Sequence, residues 1–293
     1  MPYPLHIVDV FAEEPLAGNP LAVVLEAEGL ETSLMQRIAH EMNFSETTFV
    51  ASSPDAQGAW PVRIFTPAAE LPFAGHPTLG TASVIRALTG GHAALVELQL
   101  RVGTIPVRFE PEGEGAEVAW LRAPAVEMGA RIAPEAVAAA VGLVPDDLVS
   151  EVQPHHVTAG PAFGFARVSG QEALCRARLD RERLAALVPG ISLDGLYLFC
   201  TETVGEGLDL AARLLFDAGG AREDPATGSA TAMLGAFLLE QSGEPDAGFS
   251  IRIEQGVAMG RPSLLRLAVD VRAGPPEIRV GGRVFPVLRG ELL

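Results

Sequence analysis

The chain reads as an α+β protein of two pseudo-symmetric halves, each a curled, mostly antiparallel sheet around a central helix. Three observations predict this. The stretch Arg63–Ala82 opens as a strand, crosses a Pro/Gly loop and closes into an apolar helix. A second stretch repeats that grammar: Phe216 ends a strand, Glu223-Asp224-Pro225-Ala226-Thr227-Gly228-Ser229 forms the loop, and small and apolar residues run on to Leu239. The helix predicted over Pro77–Leu88 carries Arg86 as its sole charge, and a helix apolar on most sides is usually buried, here by strands wrapped round it. Any αβ protein has several strand–glycine–helix turns, so spacing by itself leaves both duplication and ordinary turns open.

Taken in order, Leu5–Phe11 reads as an opening strand, Gly18-Asn19-Pro20 as a turn and Leu21–Leu25 as a second strand. Ser33 caps a predicted helix with Leu34, Ile38, Ala39 and Met42 on one stripe, ending near Asn43. Ser45-Glu46-Thr47 leads into a strand at Thr48–Val50, and Trp60–Thr66 is the strand that feeds the first motif. Pro77 fits the first helical position, which makes His76 the expected N-cap. Strands are predicted over 94–102, 105–109 and 117–121. The pattern changes near Arg122-Ala123-Pro124, so a first domain over 1–122 and a second over 123–293 are expected, the terminal strand being free to pack on the other domain. In the second half, a helix closed by Gly142 and strands near 152–159, 163–168 and 195–201 precede the second motif. Strands over 250–255, 263–271, 277–280 and 283–288 follow it.

Composition narrows the function. At 293 residues, with 48% hydrophobic and 20% charged residues, the chain can bury a large core. Its formal charge of −16 argues against nucleic acid and against anionic lipid as partners. All 21 basic residues are arginine; without lysine, Schiff-base and pyridoxal-phosphate chemistry lack their amine. The two cysteines make no disulfide framework or CxxC pair. No run is long enough to span a bilayer, and no apolar leader stands behind the N-terminus, so a cytoplasmic protein is expected.

Glu46 is the leading chemical candidate. It stands between Ser45 and Thr47 at the mouth of an apolar strand, where partial burial would bring a carboxyl closer to the pH at which a proton-shuttling base works best. A solvated glutamate at a strand end has the same local sequence. His76, at a helix start, is expected to be neutral, because the positive end of the helix dipole opposes imidazolium. Asp224 sits in the mirrored loop, where a turn aspartate before proline is also common. Gly75, Gly228 and Ser229 offer N–H groups and a hydroxyl to a substrate carboxylate. Two such helix starts facing one cleft would fix a substrate's orientation. His155 and His156 are adjacent, so on a strand they point to opposite faces and make no metal pair.

At these residues the sequence resembles the PhzF family, the phenazine-biosynthesis isomerase-like proteins. The resemblance is carried by Asp9-Val10-Phe11 with Gly18-Asn19-Pro20-Leu21-Ala22-Val23, by Ser45-Glu46-Thr47-Thr48-Phe49-Val50 and by the whole Arg63–Ala82 motif. It continues through Val102-Gly103-Thr104-Ile105, Glu223–Ala230, Glu254-Gln255-Gly256-Val257 and Gly260-Arg261-Pro262-Ser263. It implies a diaminopimelate epimerase-like fold, a homodimer, and catalysis without cofactor or metal. It also implies that Glu46 moves a proton between carbons of a substrate such as trans-2,3-dihydro-3-hydroxyanthranilate, with His76, Asp224 and Ser229 positioning the substrate and assisting. Asn19, Ser45, Thr47, Gly75, Thr227 and Gly228 complete the expected substrate-binding set. Related epimerases place cysteines where this chain has Ala74 and Thr227, so two-thiol racemisation is not expected. Val157–Phe165 lacks basic residues that the family's namesake carries in that region, and Phe216-Asp217-Ala218 lacks a proline common before the second motif, which makes the chemistry class firmer than the substrate.

Three functions compete on this reading. The first is a cofactor-independent isomerase of a small carboxylate with Glu46 as acid and base. The second is a two-base amino-acid epimerase or racemase, with Glu46 and either Asp224 or His76 on opposite faces. The third is a non-catalytic binder of small ligands on an enzyme fold.

Overall fold

The structure is a computed structural model and describes residues 2–113, 115–218, 220–243, 247–272 and 274–293. The chain divides into two compact units, residues 1–122 with 281–293, and residues 123–280. The last residues therefore group with the first unit and not with the half that precedes them in sequence.

In the first unit, β1 (Tyr3–Val10) pairs antiparallel with β2 (Asn19–Val24), and β2 runs parallel to β3 (Glu46–Val50). Between them α1 (Thr32–Met42) covers the outer face of the sheet, burying Met35, Ile38 and Ala39 against Phe49 and Phe65. Glu31, not Ser33, is the N-cap; of the expected stripe Ile38, Ala39 and Met42 face this core, and Met35 is buried where Leu34 was expected. Asn43 closes the helix in the left-handed region, which its short polar side chain tolerates. β3 pairs antiparallel with β4 (Trp60–Phe65), which turns into the two-residue β5 (Glu70–Leu71) and then α2 (Gly75–Leu88). Beyond α2, β6 (Leu95–Leu100) lies parallel to β4 and continues through β7 (Gly103–Pro111) to β8 (Glu117–Arg122) in antiparallel steps. The final strand, Val284–Leu292, pairs with β1.

α2 packs against β1, β2, β3, β6, β7 and β8, as a helix at the centre of a curled sheet must. Nine of its residues are buried, among them Leu79, Gly80, Ala82, Val84 and Ile85. Gly80 lets the strands come close: a Cβ there would lie 2.6 Å from Leu21 Cδ2 and 2.8 Å from Val10 Cγ2. Thr48 on β3 hydrogen-bonds Thr81 on α2 at 2.8 Å, satisfying both buried hydroxyls.

The second unit repeats this order. β9 (Glu127–Arg131) precedes α3 (Pro134–Ala140), then β10 (His155–Thr158) pairs antiparallel with β9 and with β11 (Ala162–Arg167). α4 (Gln171–Arg176) and α5 (Arg181–Ala185) follow, and β11 runs parallel to β12 (Gly195–Cys200). β12 pairs antiparallel with β13 (Leu210–Asp217), which turns into β14 (Ala221–Asp224) and α6 (Gly228–Ser242). β15 (Phe249–Gln255) lies parallel to β13 and antiparallel to β16 (Ser263–Asp270), and β17 (Glu277–Gly282) leads to the final strand, β18. α6 packs on β10, β11 and β16, with Phe237 against Phe165 and Phe199. α3, α4 and α5 bury a second apolar layer with Val137, Leu174 and Leu184 on the other side of the sheet.

The two units thus share one sequence of pairings: antiparallel, parallel, antiparallel, a short hairpin strand, a central helix, parallel, antiparallel. β9, β14 and α4 have no counterpart in the elements expected from the sequence; each is six residues or shorter, too short for a periodic pattern to declare itself.

Candidate active site

In the first unit the site grows from the start of β3 and the start of α2. Strand residues alternate between faces, so Glu46 shares the face of Thr48, turned toward α2, whereas Thr47 shares that of Phe49 and Phe65. The Thr47 hydroxyl is fully buried there. Thr47 therefore leaves the expected substrate-binding set: its side chain points away from the carboxyl it was grouped with. Ser45 is exposed beside Glu46, and Asn19 is buried at the head of β2.

α2 begins two residues earlier than expected, at Gly75 and not Pro77. Its N-cap is Ala74 in extended conformation, and His76 is the second helical residue, 6% exposed. Pro77 occupies the third position, where its missing N–H again costs nothing, because no first-turn N–H has an intrahelical acceptor. The His76 ring donates to the carbonyl of Pro20, and its Nε2 lies 3.4 Å from Glu46 Oε2. Nε2 makes no hydrogen bond of its own, so the bond to Pro20 runs through Nδ1–H, and the nitrogen facing Glu46 presents a lone pair. Burial pushes the imidazole down to about 3, against the smaller upward pull of the Pro20 bond. His76 is neutral at physiological pH, but desolvation is the first cause and not the helix dipole invoked from sequence.

In the second unit the corresponding loop is tied by hydrogen bonds. Thr227 is the N-cap of α6, and its hydroxyl donates to Asp224 Oδ2 at 2.6 Å. Gly228 and Ser229 open the helix, both partly exposed. Gln255, at the end of β15 and 1% exposed, reaches back to this loop. Its Nε2 donates to the Asp224 carbonyl at 2.8 Å and to Thr227 Oγ1 at 3.0 Å, and its Oε1 accepts from Thr227 N at 3.3 Å. Gly256 follows with φ +75°, its Cβ position taken by the Pro225 and Arg261 carbonyls at 2.6 and 2.4 Å. Gln255 was quoted from the sequence only within the Glu254–Val257 match; its function in this loop spans 28 residues and leaves no local mark.

Each helix start is set by a forked ion pair in the hairpin before it. Arg63 Nε and Nη2 grip the two oxygens of Glu70, each at 2.8 Å. Arg213 does the same to Glu223 at 2.9 and 2.7 Å. Both glutamates stand four residues before their N-cap, and Thr78 and Thr231 each bond their N-cap carbonyl, at 2.7 and 3.0 Å. The remaining candidates stay apart from this chemistry. His155 turns to Phe237 and Gln241, and His156 lies against Gly129. Cys200 is buried, its thiol pushed up to about 11 by desolvation. Among the described residues, no group of three or more His, Cys, Asp and Glu is placed to hold a metal ion, and no helix is long and apolar enough to cross a membrane.

The family model described as phenazine biosynthesis-like protein, PhzC-PhzF, matches residues 8–290. The chain belongs to the PhzF family. An uncharacterized isomerase of Mesorhizobium japonicum is 37% identical over 98% of this chain and 97% of its own length. The trans-2,3-dihydro-3-hydroxyanthranilate isomerase of Pseudomonas chlororaphis is 36% identical over 98% of each chain. The crystal structure of a PhzF-family phenazine biosynthesis protein from Bacillus anthracis superposes with a TM-score of 0.90 at 26% identity, covering 100% of this chain and 99% of that one. A proline racemase from Agrobacterium radiobacter shares the fold alone, with a TM-score of 0.64 at 11% identity over 99% of this chain and 93% of that one. This PhzF-family protein is an isomerase acting on a small molecule, on the epimerase-like α+β fold expected from its sequence.

Proposed function

We propose that this isomerase moves a proton between two carbons of a small unsaturated carboxylate, trans-2,3-dihydro-3-hydroxyanthranilate or a close analogue, with Glu46 as both base and acid. The observation that carries the reading is the approach of Glu46 Oε2 to within 3.4 Å of Nε2 of a buried, neutral His76. Ionised Glu46 takes the proton from the first carbon. Once protonated, its carboxyl has an acceptor in His76 Nε2 until it returns the proton to the second carbon. Such acid–base help is typically worth about 10²–10⁴-fold. The N–H groups at Gly75 and Gly228, with Ser229 and Asp224, supply the anion grip and a polar contact for the substrate. Asn19, on the neighbouring strand β2, and Ser45, directly before Glu46, belong to the same proposed set. A homodimer in the cytoplasm is part of the same proposal; sedimentation velocity reads the mass directly.

A two-base epimerase would need a second proton-transfer group opposite the first. Aligning the two units by their strand pairings places Gly195 where Glu46 stands: Thr47 faces Phe65, and Leu196 faces Leu215. A Cβ at Gly195 would lie 2.5 Å from the Leu215 carbonyl oxygen, so the repeat carries no twin of the base. A second base would have to be Asp224 or His76, and hydrogen exchange separates that reading from one carboxyl acting on one face. The test is to incubate the protein with trans-2,3-dihydro-3-hydroxyanthranilate in D₂O and follow the product by NMR. Isomerised product retaining substrate hydrogen, lost in Glu46→Gln, is expected. Full exchange with solvent in every turnover, or undiminished turnover by Glu46→Gln, would overturn it.

A further inference from the structure

Gln255 has no hydrogen bond to Glu46 or His76, yet its amide fixes which way the hydrogen bonds of the second helix start must point. All three polar capacities used here are defined by their partners. The Asp224 carbonyl can only accept, so it faces Nε2 (2.8 Å). The Thr227 N–H can only donate, so it faces Oε1 (3.3 Å). Turning the amide over would set donor against donor and acceptor against acceptor. The second Nε2 hydrogen is then aimed at Thr227 Oγ1 at 3.0 Å. A hydroxyl that accepts from an amide has one hydrogen to give, and the Thr227 hydroxyl gives it to Asp224 Oδ2 at 2.6 Å.

We infer that Gln255 is a positioning residue for the isomerisation: through Thr227 it orients the Asp224 carboxylate and commits Oδ2 to accepting. This rests on the reading of Asp224 as a substrate-contacting group. The relay is buried at its origin, since Gln255 is 1% exposed, and a hydrogen bond in such surroundings is stronger and more directional than one in water. It is also braced from both sides of the strand end. Gly256 admits the Pro225 carbonyl where a side chain would stand. The neighbouring Glu254, also buried, accepts from Val204 N at 2.6 Å and Gly205 N at 2.9 Å.

Three substitutions test the relay without relying on one fold-sensitive variant. Thr227→Val keeps the shape and removes the hydroxyl, Thr227→Ser keeps the hydroxyl, and Gln255→Glu removes both Nε2 donors. With trans-2,3-dihydro-3-hydroxyanthranilate as probe, Thr227→Val and Gln255→Glu are expected to lower kcat by about tenfold or more, the scale of a misoriented group, with a smaller change in KM. Thr227→Ser should recover most of kcat. The double variant should be no slower than either single one, because both break a single chain of bonds. Melting curves, taken alongside, confirm that each variant is folded at the assay temperature. Wild-type kcat in Thr227→Val, or fully additive losses, would overturn the inference while leaving the Glu46 mechanism standing if Glu46→Gln is inactive. Undiminished turnover in Glu46→Gln would overturn the mechanism and this inference together.

Discussion

The two helix starts are built on one plan and equipped for different work. Both follow a strand, a forked Arg–Glu hairpin, four residues to the N-cap, a glycine, and a threonine bonded to the N-cap carbonyl. At matching places the first unit has Glu46, Leu71 and His76, and the second has Gly195, Asp224 and Ser229. The scaffold was duplicated and the proton chemistry was not. The difference teaches that the shared geometry belongs to the helix start as an anion-holding device, and the reaction to whatever side chains one copy adds to it.

The comparison breaks most sharply at Glu46. Shortening it to aspartate withdraws the carboxyl by about one methylene, and a displacement of that order is expected to cost about 10²-fold in kcat. Its counterpart, Gly195→Ala, should change the melting temperature through its clash with the Leu215 carbonyl while leaving kcat of the folded fraction near that of the parent. A loss of kcat at Gly195 as large as at Glu46 would mean that the second unit shares the proton chemistry.

The hairpin pairs look alike but sit in different media. The Arg213 side chain is 8% exposed and also donates to the Leu174 and Ala177 carbonyls, whereas Arg63 is 34% exposed. Removing one partner of a buried pair strands the other and costs about 3–5 kcal/mol, while exposed pairs are worth about 0.2–1 kcal/mol. Arg213→Met should therefore lower the urea midpoint far more than Arg63→Met. Equal losses would show that hairpin geometry, and not burial, sets the energy. Asp224→Asn comes next in size: it keeps the acceptor for Thr227 but removes the charge, and a fall in kcat/KM of about tenfold is expected, the lower end of acid–base and positioning losses.

How much of this was legible beforehand follows from where the information lies. The two motifs stand out because glycine and proline punctuate them, and the central helix because its apolar residues surround it. The start of α2 was misplaced because Pro77 suits any first-turn position, so proline marks a helix beginning without fixing its register. On α1, Ile38, Ala39 and Met42 were legible, but Leu34 was read for Met35 because both are apolar and only the packing on Phe49 chooses between them. The Arg–Glu twin was hidden by hairpins of unequal length, Arg63 and Glu70 being 7 apart but Arg213 and Glu223 being 10 apart. The Gln255 relay could not be read at all, since a buried amide bonded 28 residues away looks, in sequence, like any polar residue ending a strand.

The gentlest way to separate the two units is through acid. His76 is held neutral by burial, its folded pKa near 3 against an ordinary 6.5, whereas Ser229, at the matching place, does not titrate. Between these values the unfolded chain binds a proton at residue 76 that the folded chain does not. Stability therefore rises with pH across the window and is lost as pH falls from 6.5 toward 3. The loss is at most about 1.4 kcal/mol per pH unit, so between pH 6.5 and 5.5 it amounts to about 1 kcal/mol or less. Replacing His76 by asparagine should flatten that part of the stability–pH curve, measured by urea unfolding at closely spaced pH, whatever it does to absolute stability. The same neutrality means that the kcat/KM profile of the parent should show no inflection from residue 76 near 6.5. An unchanged stability slope in His76→Asn would place the imidazole in contact with water and remove the lone pair that faces Glu46.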